Sequence, residues 1–215
     1  MRTVATMAAA AAVGLLACAA PAAIVTFDSV IEYSGGQQPA GPQPWLRAVF
    51  NDNGGTGSVT LTLTALNLTG SEFVNDWFFN LDPALNPTNL NFAVQNTTGT
   101  FATPVVLKGT NAFNAAGSTD FDILVDFDNA PPANRFGPGE SIQFLITGIP
   151  TLTANSFNFL SVPGGHGPFL NAAHVQGIGP NANGSGWVTV PEPTSLGATA
   201  LGAAVLVRPR RRRSA

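Results

Sequence analysis

Cysteine is nearly missing from this chain of 215 residues: the only one is Cys18, close to the start. A form trimmed beyond that position has no thiol, which excludes disulfides, cysteine nucleophiles and thiolate metal clusters. Charge is also scarce, at 10% of residues against about a quarter in an ordinary soluble domain. Residues 24–190 hold only three basic residues, Arg47, Lys108 and Arg135, beside eleven acids, for a net 3 − 11 = −8. Such a body has nothing with which to displace phosphate counterions, so nucleic acid is excluded as a partner. There is no Gly-x-Ser-x-Gly elbow, no His-Glu-x-x-His and no phosphate-binding loop. The only histidines are His166 and His174. Both lie in Gly-rich stretches, which predicts loops or strand ends and hydrogen-bonded structural roles.

What is present is glycine (23), proline (17), phenylalanine (15) and tryptophan (3). The Gly and Pro follow no collagen period, and the aromatics give ample apolar surface to bury. No helical period runs through residues 24–190; short β-branched or aromatic runs alternate with turn clusters instead. Strands are expected at Ile24 to Tyr33, Trp45 to Asn51, Val59 to Leu68, Phe73 to Leu81, Leu90 to Val94 and Val105 to Lys108. Others are expected at Phe121 to Phe127, Ser141 to Thr147, around Phe157 and Phe159, and at Trp187 to Val190. In Val59 to Leu68 the apolar phase switches after Leu63, which predicts a bulge near Ala65-Leu66. Roughly ten short strands without helices predict an all-β, antiparallel β-sandwich, jelly-roll-like, over residues 24–189.

Phe121, Ile123, Val125 and Phe127 are expected on one strand face. Asp120, Asp122, Asp126 and Asp128 fall on the other, about 7 Å apart at each two-residue step. These four carboxylates are the candidate calcium ligands, against the reading of a solvated strand face. No other cofactor is expected. Asp120 and Asp122 are also the acids that a glycoside-hydrolase reading would use. Trp45, Trp77 and Trp187 are candidates for a sugar-binding surface.

The two ends read as addresses. Residues 1–23 form a secretory signal peptide: Arg2, an apolar run from Val4 to Ala20, then small residues. Cleavage is expected after Ala19 or Ala23. A second reading takes Leu15-Leu16-Ala17-Cys18 as a lipoprotein box with lipid on Cys18. At the other end, residues 190–215 carry Pro191-Glu192-Pro193, an uncharged run from Thr194 to Val207, and Arg208, Arg210, Arg211, Arg212 and Arg213. Pro-Glu-Pro is stiff and cannot join a helix interior or central strand. The uncharged run can enter a bilayer, and the Arg block stops there and stays cytoplasmic.

This tail resembles the PEP-CTERM sorting signal of bacterial exopolysaccharide-associated proteins. The resemblance implies recognition by exosortase, a membrane-embedded cysteine transpeptidase. The apolar run departs from the pattern in being short, about 20 Å as a helix against a hydrocarbon core of about 30 Å. Within the body, three further segments resemble the ectodomain of small PEP-CTERM proteins. These are Asn75-Asp76-Trp77-Phe78-Phe79-Asn80-Leu81-Asp82-Pro83, Phe136-Gly137-Pro138-Gly139-Glu140-Ser141, and Gly164-Gly165-His166-Gly167-Pro168 with Ala173-His174-Val175-Gln176-Gly177-Ile178-Gly179. The resemblance implies an exported β-sandwich surface or matrix protein, of a kind mostly without assigned activity, and no enzyme is expected. It would be a membrane-anchored precursor, later resident at the cell surface or in the extracellular matrix. Its partners would be exosortase, the membrane and extracellular polysaccharide.

Overall fold

A computed structural model describes residues 21–117 and 119–191. The chain is all-β, with two antiparallel sheets and only three single-turn 3-10 segments among the described residues. In chain order the strands are β1 (Ile24–Ser29), β2 (Ile31–Glu32), β3 (Leu46–Asn51), β4 (Val59–Thr64), β5 (Phe73–Phe79) and β6 (Asn91–Thr98). They continue with β7 (Val105–Ala115), β8 (Thr119–Asp126), β9 (Ser141–Thr147), β10 (Asn171–Ile178) and β11 (Gly184–Thr189). The five-stranded sheet runs β1-β3-β4-β9-β6 and the six-stranded sheet β2-β11-β10-β5-β8-β7. Only β3-β4, β7-β8 and β10-β11 are neighbours in both chain and sheet; every other connection crosses between sheets.

The period-two pattern of the sequence decides what lies between the sheets. Val59, Leu61 and Leu63 of β4 are buried, while Thr60, Thr62 and Thr64 face outward. β3 and β9 repeat this with Leu46, Ala48, Phe50 and with Ile142, Phe144, Ile146. From the other sheet, Trp77, Phe79, Ile123, Val125, Ala173, Val175 and Val188 meet them in one core. Phe79 joins the layers, edge-on to Phe50 at 5.3 Å and stacked with Phe27 at 6.4 Å.

Several expectations change in the folded chain. The single strand expected from Ile24 to Tyr33 is split at Val30. β1 edges one sheet and β2 edges the other, where Val30 N–H donates to Thr189 O and Tyr33 N–H to Trp187 O. No bulge interrupts β4. The strand ends at Thr64, and the phase switch marks chain leaving the sheet, held by Ala65 N–H to Glu140 O and Asn67 N–H to Trp45 O. Phe157 closes a 3-10 turn (Ala154–Phe157) rather than a strand. β10, read from its glycines and histidine as loop, is a central strand.

The largest departure is at β7-β8. Lys108 pairs with Ile123, but the next pair is Phe113 with Phe121, so residues 109–112 bulge opposite Asp122. Asn111 in this bulge has φ +49°, a left-handed conformation that Asn tolerates better than most residues. Asp122 is 8% exposed. Its Oδ1 accepts from Asn111 N–H at 2.8 Å and its Oδ2 from Leu81 N–H at 2.9 Å. One carboxylate therefore holds both the bulge and the chain leaving β5. Beyond it Phe121 is carried out of the main core, into a second cluster with Phe78, Ala115, Phe169 and Ala172. The expected one-sided set thus keeps Ile123, Val125 and Phe127 but loses Phe121.

Asp122→Ala should cost about 1–3 kcal/mol in urea unfolding, because the buried Leu81 N–H and the part-buried Asn111 N–H both lose their acceptor. Asp122→Asn, which keeps one acceptor oxygen, should cost less.

Candidate binding face

The six-stranded sheet turns one face to the core, so alternation fixes which residues face outward. Trp187 of β11 lies opposite His174 of β10, and His174 lies opposite Asp76 of β5. Asp76 lies opposite Asp126 of β8, which in turn lies opposite Val105 of β7. The row Trp187, His174, Asp76, Asp126, Val105 therefore crosses five strands. A second row beside it runs Ala172, Phe78, Leu124, Leu107.

The polar groups of the first row are ordered by each other. The rings of His174 and Trp187 stack at 4.6 Å and 7°. His174 Nδ1 lies 3.7 Å from Asp76 Oδ2 and 3.3 Å from Gln176 Nε2. Asn75 Nδ2 donates to Asp76 Oδ2 at 2.6 Å. Trp187 also meets Phe78, tilted at 5.6 Å. Asp126 has a pKa pushed up, first by burial and then by the charges of Asp76 and Asp128. At the end of the face, Arg135 sits 4.2 Å over the Phe73 ring and donates from Nε to Asn129 O. The surface offers an aromatic edge, an imidazole, carboxylate acceptors and amide donors, which is a hydrogen-bonding repertoire for a polyhydroxylated ligand.

The four aspartates singled out as calcium ligands take different places. Asp122 is buried on backbone N–H groups, and Asp120 accepts from Asn114 Nδ2 at 3.0 Å. Asp128 is exposed, accepting from Asn134 Nδ2 and Ala130 N–H, and those bonds hold its pKa down. Only Asp126 and Asp128 share a depression, of about 310 Å³, with Asn75 and Asn129. Among the described residues no three His, Cys, Asp or Glu side chains converge as a metal-binding group.

Of the tryptophans, Trp45 and Trp77 are buried at 2% and 0% exposure; Trp187 alone reaches the surface. His166 is in an exposed loop, as expected. His174 is not: it sits mid-strand, beside an acid a hundred residues away in sequence. That pairing had no local signal, because it arises from the β5-β10 register. Of the sorting motif, Pro191 is described and half-buried, directly after the buried Val190. Glu192, Pro193, Arg208, Arg210, Arg211, Arg212 and Arg213 lie outside the described residues, as do residues 1–20. Among the described residues no helix is long and apolar enough to cross a membrane. The chain matches no family model, no curated protein and no solved structure.

Asp126→Asn should raise the melting temperature at pH 7. With its folded pKa above the unfolded value, the Asp126 charge opposes folding, and that penalty is present above the folded pKa. It fades as pH falls through the carboxylate range, so the two proteins should melt together near pH 3. Calorimetry at both pH values checks this.

Proposed function

We propose that this is an exported interaction protein of the cell surface or extracellular matrix, made as a precursor and trimmed at both ends. The observation that carries the reading is where the fold begins and ends. Among the described residues Ala23 is the first in the hydrogen-bonded structure, through Ala23 N–H to Asp52 Oδ1 and Asp52 N–H to Ala23 O. Val190, 7% exposed, is the last residue in the core. Among the described residues the core therefore lies between the segments that the sequence reads as leader and as sorting tail, which is what the reading requires. The crossing connections support a jelly-roll-like description of the sandwich. In this reading exosortase acts at Pro191-Glu192-Pro193, the run from Thr194 to Val207 engages the membrane, and Arg208 with Arg210 to Arg213 stops transfer. The sandwich itself carries out no catalysis.

A second reading has its own support. Trp187, stacked on His174 in the outward row and in contact with Phe78, favours a module for extracellular polysaccharide. The body's net charge of −8 favours neutral or cationic polymers over polyanions.

The processing reading is tested by intact mass of the exported form, expected to lack Arg208 to Arg213. Glu192→Ala should leave the precursor in the membrane and slow the cut. Replacing Arg208 and Arg210 to Arg213 with Ser should release uncut protein instead. Normal processing of both variants would remove the basis for the sorting reading.

The polysaccharide reading is tested by retention on the producing strain's own polymer. Trp187→Ala should weaken binding by about 1 kcal/mol, roughly fivefold, while melting within a few degrees of the parent. Equal retention of the two proteins, or none by either, would leave the outward face without this role.

A further inference from the structure

We propose that the new amino terminus made by leader removal is a working part of the fold: hydrolysis of the Ala22–Ala23 bond places an α-ammonium on the buried carboxylate of Asp52. The proposal rests on the export reading above. Water is the co-reactant, and hydrolysis leaves a carboxylate on Ala22 and an ammonium on Ala23.

Asp52 is 6% exposed. Its Oδ1 accepts from Ala23 N–H at 2.8 Å and Gly54 N–H at 3.0 Å, and its Oδ2 from Ala154 N–H at 3.3 Å. Its own N–H returns a bond to Ala23 O at 3.3 Å. Burial pushes the pKa of this group up, but the three amides outweigh it and hold the carboxyl ionised. Among the described residues no Lys, Arg or His lies within ion-pair distance of it; the ion pairs present are Arg47 with Asp28 and His174 with Asp76. A buried anion held only by amides is one to which a cation adds most.

The chain delivers a nitrogen to that anion at the point where the fold starts. Ala23 is half-buried against the core, while Pro21 and Ala22 are exposed. In sequence, Ala20-Pro21-Ala22 is a small-x-small triplet ending one bond before Ala23. The two cuts expected from sequence fit this geometry less well. A cut after Ala23 removes both hydrogen bonds that tie the chain start to Asp52. A cut after Ala19 keeps them but puts the charge three residues upstream of the nitrogen that Asp52 accepts from. Only a cut after Ala22 turns the 2.8 Å amide contact into an ammonium–carboxylate pair, since an α-amine is protonated at neutral pH.

Intact mass of the exported protein should place its first residue at Ala23. A first residue at Ala20 or Ile24 overturns the proposal and leaves export standing, whereas a retained leader overturns both. Amine acylation gives a second measure on the same protein, because Lys108 is the only lysine in the chain. The α-amine should acylate at least about tenfold more slowly in the native state than in urea. Equal rates would overturn the proposal. Ala22→Leu blocks the small-residue requirement and moves the cut to Ala19. That form should melt about 3 °C or more below wild type, a difference that Asp52→Asn abolishes. Should Asp52→Asn fail to fold, the comparison of the two amino termini with Asp52 intact decides; identical melting there overturns the proposal.

Discussion

Backbone amides, rather than side-chain cations, satisfy the buried carboxylates of this protein, and much of the loop structure depends on that arrangement. With eleven acids and three basic residues in the body, most acids have no cation to meet. Asp122 takes the N–H groups of Leu81 and Asn111. Glu72, 2% exposed, takes those of Ala40 and Thr69, which pins the long proline-rich loop before β3 to the turn before β5. Glu140 takes Gly137 and Thr100, tying the end of β6 to the start of β9. Glu32 gathers Ser34, Gly35 and Gly36. In each case the amides lie outside the strand ladders, in a bulge, turn or loop, and the carboxylate gives them a partner. A charge-assisted bond from a carboxylate is the stronger solution, and it needs no counter-ion.

This explains how far the sequence could be read. Ser141 to Thr147 was legible to the residue because it has one apolar and one polar face; the same alternation gave the start of β4 at Val59, but not its end at Thr64, since Leu66 and Leu68 read as strand although the chain has by then left the sheet. The carboxylates misled for a related reason. Four aspartates at even spacing on one strand look like a single charged face. Asp122, however, is drawn inward by amides from Asn111 and Leu81, and neither is adjacent to it in sequence. Phe121 then changes sides with it. β10 was hidden because Ala172, Ala173 and Gly177 give little apolar signal, although Ala172 packs with Phe78 and Trp187 and Ala173 packs into the main core. Small residues in a central strand are a packing choice that propensity alone reads as loop.

The outward face of the six-stranded sheet is the part of the molecule most unlike a generic surface. Its polar residues are held by one another, with Asn75 on Asp76, Gln176 on His174 and His174 on Trp187. Such mutual ordering lowers the entropy lost when a ligand orders the same side chains. The opposite face carries Thr60, Thr62 and Thr64 beside the Arg47–Asp28 pair, whose two bonds of 2.6 and 2.9 Å join β1 to β3. The two faces of the sandwich thus differ in kind, one aromatic and acidic, the other largely hydroxylic.

The pairing of β2 with β11 joins residues 31–32 to residues 188–189, so the six-stranded sheet acquires its edge from the two extremes of the body. β1, β3 and β4 can assemble early, since they lie close together in the chain. The second layer has to wait: β5 is separated from its neighbour β10 by about half the body, and β2 has no partner at all until β11 arrives. Non-local pairing of this kind makes folding slow. A chain emerging amino-terminus first could lay β5, β8 and β7 over its first sheet by residue 126, but the β2 edge would stay open until residue 189 had followed. The clasp that joins the two ends of the body is thus the last to form, and closure of the sheet is timed by the arrival of its last strand.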